Sequence, residues 1–570
     1  MAETLLSPGV LARETDQSFI QGQPVQAGAA ILGPAAKGPV GIPTLVTSYS
    51  EYQAIFGNDV TSGSQQYEYL TQTSANNYFS QGGTSLLVTR VQSGSFTGAT
   101  STTITNDYGA GTASFALTTL SEGVIANSSG SEGSNNTLTN GTKDNIRWEI
   151  QGANTSSGTF SLIIRRGDDS SKQKNVLETW QGLSLDPKAS NYISKVIGDT
   201  SYTVSQDGTD YYVKSSGTYT NKSKYIRVSA VNYPTPDYFD NNGTAKDAYT
   251  ASLPVDGSGS FGSATGTLFD GQEAKFNDSI SSGNIQGLDQ LNYTESINLL
   301  SNKDEYRYNL ITAPGLNYSD HGTAVNLLVS TVESRQDAIA VIDLDGYNTN
   351  IGTITTNAAA FDSSYAASYW PWLQTLNTTG QTVWVPASTM IPGVYAFTDA
   401  SSDAWFAPAG LTRGALGNVI KAERKLTSGN RDTLYAANVN PIATFPGTGV
   451  VVFGQKTLQK RASALDRVNV RRLLIELKNY ISQVADNLVF EQNSIATRNS
   501  FLTQVNPYLE GIQQRQGLYA FKVVMDETNN TADVVDRNEL VGQIYLQPTK
   551  TAEFILLDFN VLPTGATFPA

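Results

Sequence analysis

The chain has 570 residues, no cysteine, one histidine and a formal net charge of −14. Without Cys there are no disulfides, thiol nucleophiles, iron–sulfur clusters or thiolate zinc sites, and a single His removes most imidazole metal sites as well. The length gives roughly three to four domains with ample core. No apolar run approaches the ~18 residues of a membrane span, and the acidic balance argues against nucleic-acid binding by the chain as a whole.

The N-terminus lacks the charged and apolar regions of a secretory signal, so folding in a cytosol is the expectation. Residues 1–22 show no helical period and read as an extended arm. Ala29-Ala30-Ile31-Leu32-Gly33 reads as a buried strand, 50–57 as a short helix stopped by Gly57, 66–79 as a helix, and 85–91 as a strand. Alternation of this kind predicts an α/β layer.

Composition then shifts. Residues 92–142 hold no Arg and no Lys, Gly, Ser, Thr and Asn dominate, and β-type runs recur at 113–117, 147–150, 160–164 and 225–228. We read 93–258 as an inserted, peripheral β-rich domain, with disorder as the alternative for its first fifty residues. The α/β pattern returns with a helix at 295–300, strands at 308–315, 337–343 and 381–386, and a helix at 324–333. Strands and helices alternating at this spacing fit a largely parallel sheet built from 23–92 with 259–440.

A C-terminal α+β domain is expected over 441–560, with an extended arm at 561–570. Val470, Leu473, Leu474, Leu477, Ile481, Val484 and Leu488 form one apolar stripe at helical spacing. Strands are expected at 519–525, 540–546 and 553–560. From Arg413 to Lys478 twelve basic residues stand against four acidic ones, a net +8 in an acidic chain. Arg467, Arg471 and Lys478 fall together beside the apolar stripe, and segregation on this scale implies a separate partner for the basic face. A solvated polar face is the plainer alternative.

Several strings resemble the tail sheath proteins of contractile-tailed bacteriophages, relatives of R-type pyocin and type VI secretion sheaths. They are Leu5-Leu6-Ser7-Pro8-Gly9-Val10, Gly33-Pro34-Ala35-Ala36-Lys37-Gly38-Pro39, Trp405-Phe406-Ala407-Pro408-Ala409-Gly410, Phe445-Pro446-Gly447-Thr448-Gly449, the run 464–472, Phe490-Glu491-Gln492-Asn493 and the run 553–559. The resemblance covers 1–90 and 290–570 and does not extend over 93–258. It implies a non-enzymatic structural subunit without cofactor: six-membered rings stack helically around an inner tail tube, assemble in a strained extended state, and contract to drive the tube through the host envelope during genome ejection. It further implies contacts with the tube, baseplate and tail terminator proteins but none with nucleic acid or membrane, and residence in the virion tail after assembly in host cytoplasm. Arm strands containing Val10, Leu11, Arg13, Thr15, Leu562 and Phe568 would add to sheets of neighbouring subunits, and Arg467, Arg471 and Lys478 would face the tube.

Three strings carry sharper chemical motifs. His321-Gly322-Thr323-Ala324-Val325 resembles the histidine motif of subtilisin-like proteases, but Gly83-Thr84-Ser85 precedes it, the wrong order, and Ser388-Thr389-Met390 lacks the glycine. The sheath resemblance implies a subtilisin-like α/β core without catalysis, and a hydrolase using His321 is the alternative. Gly257-Ser258-Gly259-Ser260-Phe261-Gly262 matches a dinucleotide-binding spacing, but no apolar strand leads into it, which predicts a Ser/Gly loop. Asp343-Leu344-Asp345-Gly346 has its glycine early for a calcium loop and reads as a strand-end turn.

Overall fold

The computed structural model describes residues 25–62, 65–108, 111–128, 132–133, 135–268 and 280–553. Both expected arms, with Val10, Leu11, Arg13, Thr15, Leu562 and Phe568, and nearly all of the strand expected at 553–560 lie outside the described residues.

The core is an eight-stranded sheet. In chain order its strands are β1 (Ala29–Gly33), β2 (Thr44–Val46), β3 (Leu86–Arg90), β4 (Leu310–Asn317), β5 (Ile339–Asp343), β6 (Ala366–Trp370), β7 (Asn440–Phe445) and β8 (Gly449–Val452). They lie in the order β8-β7-β6-β5-β4-β1-β3-β2. The six central strands run parallel, and β2 and β8 close the two edges antiparallel. Every residue of β1, β3, β4 and β5 is buried, as expected for parallel strands covered on both faces.

Helices α1 (Tyr49–Phe56), α2 (Leu70–Ser80) and α6 (Ala387–Ser401) cover one face, burying Tyr52, Phe56, Leu70, Ala75, Met390 and Ile391. Helices α3 (Asn292–Leu299), α4 (Tyr318–Arg335), α5 (Ile351–Ala358) and α7 (Ser428–Ala436) cover the other with Tyr293, Ile297, Val325, Leu328, Ile354 and Leu434. Ser48 caps α1 by accepting the N–H of Glu51, and Gly57 ends it at φ 77°. The helix expected at 66–79 starts later: 65–67 forms a strand paired with 60–62, and α2 follows. The strand expected at 381–386 stands outside the main sheet, in a separate three-stranded sheet.

Because β7 and β8 extend the central sheet, the core runs past 440. The break expected at 441 is displaced toward 458, where Leu458 still packs in the core. The sequence signal there, Pro441 after a polar turn, marks the entry to an edge-side strand instead of a domain border.

The described residues of the insertion form strands from Gly98 onward. Two four-stranded antiparallel sheets, one of 146–154, 159–166, 176–184 and 257–259, the other of 98–101, 115–122, 226–231 and 261–262, enclose their own apolar core. Phe115 and Phe160 stack at 5.4 Å within that core. The glycine motif at 257–262 is not a loop: it is a strand that leaves one sheet at Gly259 and joins the other at Phe261. A Cβ on Gly259 would stand 2.5 Å from the Trp148 ring, so close approach, not phosphate binding, explains the glycine. A hairpin, 201–207 with 210–216, reaches back from the insertion and packs Val204, Tyr211 and Val213 on the core beside α3.

The C-terminal part pairs two long helices, α8 (Val468–Asp486) and α9 (Ile495–Gln514), with a two-stranded sheet of β9 (Leu518–Val524) and β10 (Gln543–Pro548). Leu473, Leu477, Val484, Phe501, Val505, Leu509, Ile512 and Leu518 form its core.

Candidate functional site

Helix α8 belongs to two cores at once. Val468 and Ile475 pack with the central sheet, while Leu473, Leu477 and Val484 pack with α9. The apolar stripe therefore does what an amphipathic helix at a domain border must, and its polar flank is drawn into the same border.

The basic residues consequently do not form one free face. Arg471 is 3% exposed: its guanidinium lies 4.0 Å over the Tyr365 ring and its Nε donates to the Ser364 carbonyl at 3.2 Å. Arg467 ends outside the first turn of α8 and grips Glu553 with two bonds, Nε to Oε1 at 2.7 Å and Nη2 to Oε2 at 2.9 Å. Lys478 is exposed and donates to Gln336 Oε1 and to the Tyr365 hydroxyl, both at 3.2 Å. Arg471 and Lys478 share the Tyr365 ring, whereas Arg467 precedes the helix and turns to Glu553, and of the three only Lys478 is exposed.

The rest of the basic stretch follows the same pattern. Arg472 donates to both oxygens of Asp399, at 2.7 and 2.5 Å, and sits 4.7 Å from the Tyr395 ring. Arg413 covers Phe406, Lys421 covers Trp384, Arg424 covers Trp370, Arg431 covers Phe445 and Phe453, and Lys456 covers Tyr435. The net +8 is thus largely spent on aromatic faces and carboxylates of the same chain, contacts of about 0.5–2 kcal/mol each depending on burial. Sequence reading missed these partners because the rings lie far from the cations in the chain.

The sheet of β9 and β10 is an open element, as is the 201–216 hairpin. Among the described residues the two strands pair only with each other, and Tyr519 and Tyr545 are exposed at 63% and 57%. A lone two-stranded ribbon is marginal in water, and unpaired outer edges template strand addition. The ribbon lies just before Glu553, which Arg467, Tyr435 and Gln455 hold at the root of the C-terminal segment.

His321 does not assemble a triad. The Asn317 N–H donates to Nδ1 at 3.2 Å, so Nε2 carries the proton and donates to the Ser281 carbonyl at 2.9 Å. Both ring nitrogens are engaged by backbone, the side chain is fully buried, and burial pushes its pKa below the usual value. Ser388, at the start of α6, is instead bound to Asp343 at the end of β5: its N–H donates to Oδ1 at 3.1 Å and its hydroxyl to Oδ2. A serine held directly by a carboxylate, with no histidine between them, has no general base of the triad kind. Asp345 lies in the turn after β5 and accepts the Gly346 N–H at 2.8 Å, and no cluster of three metal-ligating side chains occurs among the described residues. No helix of the described residues is long and apolar enough to cross a membrane.

Residues 283–458 match the family model of the phage tail sheath protein central domain, and residues 461–561 match that of the phage tail sheath C-terminal domain. A tail sheath protein of Vibrio phage KVP40 is 38% identical over 250 residues, 42% of this chain and 36% of the relative. That of Enterobacteria phage T4 is 39% identical over 232 residues, 40% of this chain and 35% of the relative. The matched stretches thus span about a third of the length of these curated relatives. A sheath tail protein from Listeria innocua, at 12% identity, shares the mixed helix-and-sheet fold over 92% of this chain and 95% of its own, with a TM-score of 0.52. The central and C-terminal segments of the chain, 283–458 and 461–561, are thus similar to the two domains of phage tail sheath proteins.

Proposed function

We propose that the chain is the structural subunit of a contractile tail sheath, without catalytic activity: it polymerises as stacked six-membered rings around an inner tube, stores strain in the extended state, and contracts to drive the tube through the host envelope. Besides the two sheath-domain matches, the observation that carries this reading is the open β9–β10 ribbon. Its two unpaired edges suit strands donated by the arms of neighbouring subunits, 1–22 and 561–570, each main-chain bond adding about 0.5–1.5 kcal/mol. Joints of this kind keep a lattice connected while the bodies between them turn.

The parallel core serves, on this reading, as a subtilisin-like scaffold without chemistry, and the committed nitrogens of His321 support that. The 93–258 insertion is peripheral. Contacts with the tube, baseplate and tail terminator proteins, a place in the virion tail and assembly in host cytoplasm follow from the same role. For the tube contact, Lys478 remains available, whereas Arg467 and Arg471 act by fixing α8 to the core.

Electron microscopy of the purified chain tests the proposal. Hollow striated tubes are expected from the full chain, and soluble subunits without tubes after deletion of residues 1–15. Normal tubes from the truncated chain would refute the arm model.

A further inference from the structure

The turn joining α8 to α9 presents an apolar tip that is exposed among the described residues. Phe490 is 103% exposed at φ 70°, a conformation bulky residues rarely take, and Val489 and Ile495 beside it are 60% and 62% exposed. A ring held outward in this way loses apolar burial and backbone comfort together, which is a mark of an interaction site.

At the other end of α8 the same chain carries a hollow. A groove of about 660 Å³ lies between the core edge and the C-terminal ribbon, with Asn469 from the first turn of α8 in its wall. Phe406 and Phe453 line it, Phe453 at 44% exposure, and Arg413 and Arg431 lie against those rings. Its carboxylates are Asp432 and Glu553, the latter already neutralised by Arg467. An aromatic, net cationic hollow suits an aromatic tip followed by Glu491 and preceded by Asp486, both exposed.

One chain cannot seat its own tip. The 19 residues of α8 span about 28 Å, with the groove at one end and Phe490 just past the other. A knob and a hole placed apart on identical chains make a head-to-tail contact, which repeats into rings or open helices. We propose that Val489 and Phe490 of one subunit seat in the groove of a second copy, with Glu491 set against Arg413 and Arg431. This contact rests on the polymer reading and gives it a specific side-chain joint, separate from strand addition by the arms.

The absence of natural cysteine permits a direct test in the full chain. A Glu491→Cys chain, which keeps Phe490, is assembled with a Ser428→Cys chain and oxidised; Ser428 lines the groove. Disulfide-linked dimer is expected at about ten times the yield given by Glu491→Cys with Ser156→Cys, a cysteine on an exposed turn of the insertion. Adding Phe490→Asp to the Glu491→Cys chain removes the excess and raises the concentration needed for polymer by about tenfold. Equal yields in tubes visible by microscopy overturn the knob and leave the polymer reading standing. Failure of the unmodified chain to form tubes overturns both. Cross-linking of Glu491→Cys to an added tube protein in place of Ser428→Cys assigns the tip to the tube and overturns the proposal.

Discussion

Arg467 and Glu553 form a two-pronged ion pair, 2.7 and 2.9 Å, that ties the start of α8 to the last described residue before the C-terminal segment. Tyr435 donates to the same carboxylate at 2.8 Å and Gln455 at 3.1 Å. The last described residue is thereby fixed to the border between core and C-terminal domain.

Glu553→Gln tests the energetics of that link. Burial opposes the charge of Glu553, but the bonds from Arg467, Tyr435 and Gln455 outweigh it and hold the carboxyl below its usual pKa. A depressed folded pKa contributes stability above the unfolded value and loses it as pH falls through the folded one. The substitution is expected to lower the stability of the native chain by about 1–2 kcal/mol at pH 7. That difference stays level down to about pH 5 and shrinks below the unfolded value near 4.5. Calorimetric unfolding of both chains across pH 3–7 checks it, and a difference that grows on acidification refutes the assignment.

Asp343 carries the opposite sign. Full burial raises its pKa to about 7 against the lowering effect of the two bonds from Ser388. The native state therefore holds a proton that the unfolded chain releases near pH 4. Its contribution is complete below that value and is lost as pH rises through about 7. Asp343→Asn keeps an acceptor for the Ser388 N–H and removes the titration. The substituted chain is expected to gain on the native one between pH 4 and pH 8, by up to about 4 kcal/mol for a shift of this size. Unchanged relative stability over that range, read by denaturant unfolding, refutes it.

The parallel core was legible because its strands are short apolar runs buried on both faces, as Ile31 and Val341 show, and α8 because its stripe is long and regular. Other parts were hidden for identifiable reasons. Helix α9 carries Pro507 and an uneven apolar pattern, although Ser494 caps it by accepting the Thr497 N–H. The last two strands of the sheet, β7 and β8, look like a new domain because a proline and a Gly-rich turn interrupt them. The fate of the basic residues was invisible: Arg471 meets Tyr365 and Arg472 meets Asp399, partners 73 residues or more away in the chain that no local pattern connects. Charge segregation in sequence therefore became a sealed seam in three dimensions.

That seam predicts a contrast between neighbours. Arg471→Glu puts a carboxylate against the Tyr365 ring and the Ser364 carbonyl in a buried site, and is expected to cost about 3–5 kcal/mol. Lys478→Glu, exposed, is expected to change stability by less than about 1 kcal/mol. In reconstituted tails Lys478→Glu tests the proposed tube contact: weaker docking is expected, and unchanged docking refutes it. If both chains melt like the native one, Arg471 is not part of the border.

The insertion offers the last test. Its two ends meet where the Thr97 N–H donates to the Thr265 carbonyl at 3.1 Å, and the Thr265 N–H returns to Thr97 Oγ1 at 2.9 Å. Joining residues 96 and 266 through two glycines therefore spans a short gap. The excised chain loses the packing of Val204, Tyr211 and Val213 on the core, and the Glu122 carbonyl that accepts from the buried Arg90 guanidinium at 3.0 Å. Arg90 keeps the carbonyls of Ala35, at 3.1 Å, and Gly38, at 2.5 Å. Core folding is expected to survive with a midpoint several degrees lower, since a loss of about 1 kcal/mol moves the melting of a domain of 150–250 residues by 2–4 °C. Tubes are expected to form if the insertion is peripheral. Loss of all assembly by a chain that still folds would place the insertion at a subunit interface.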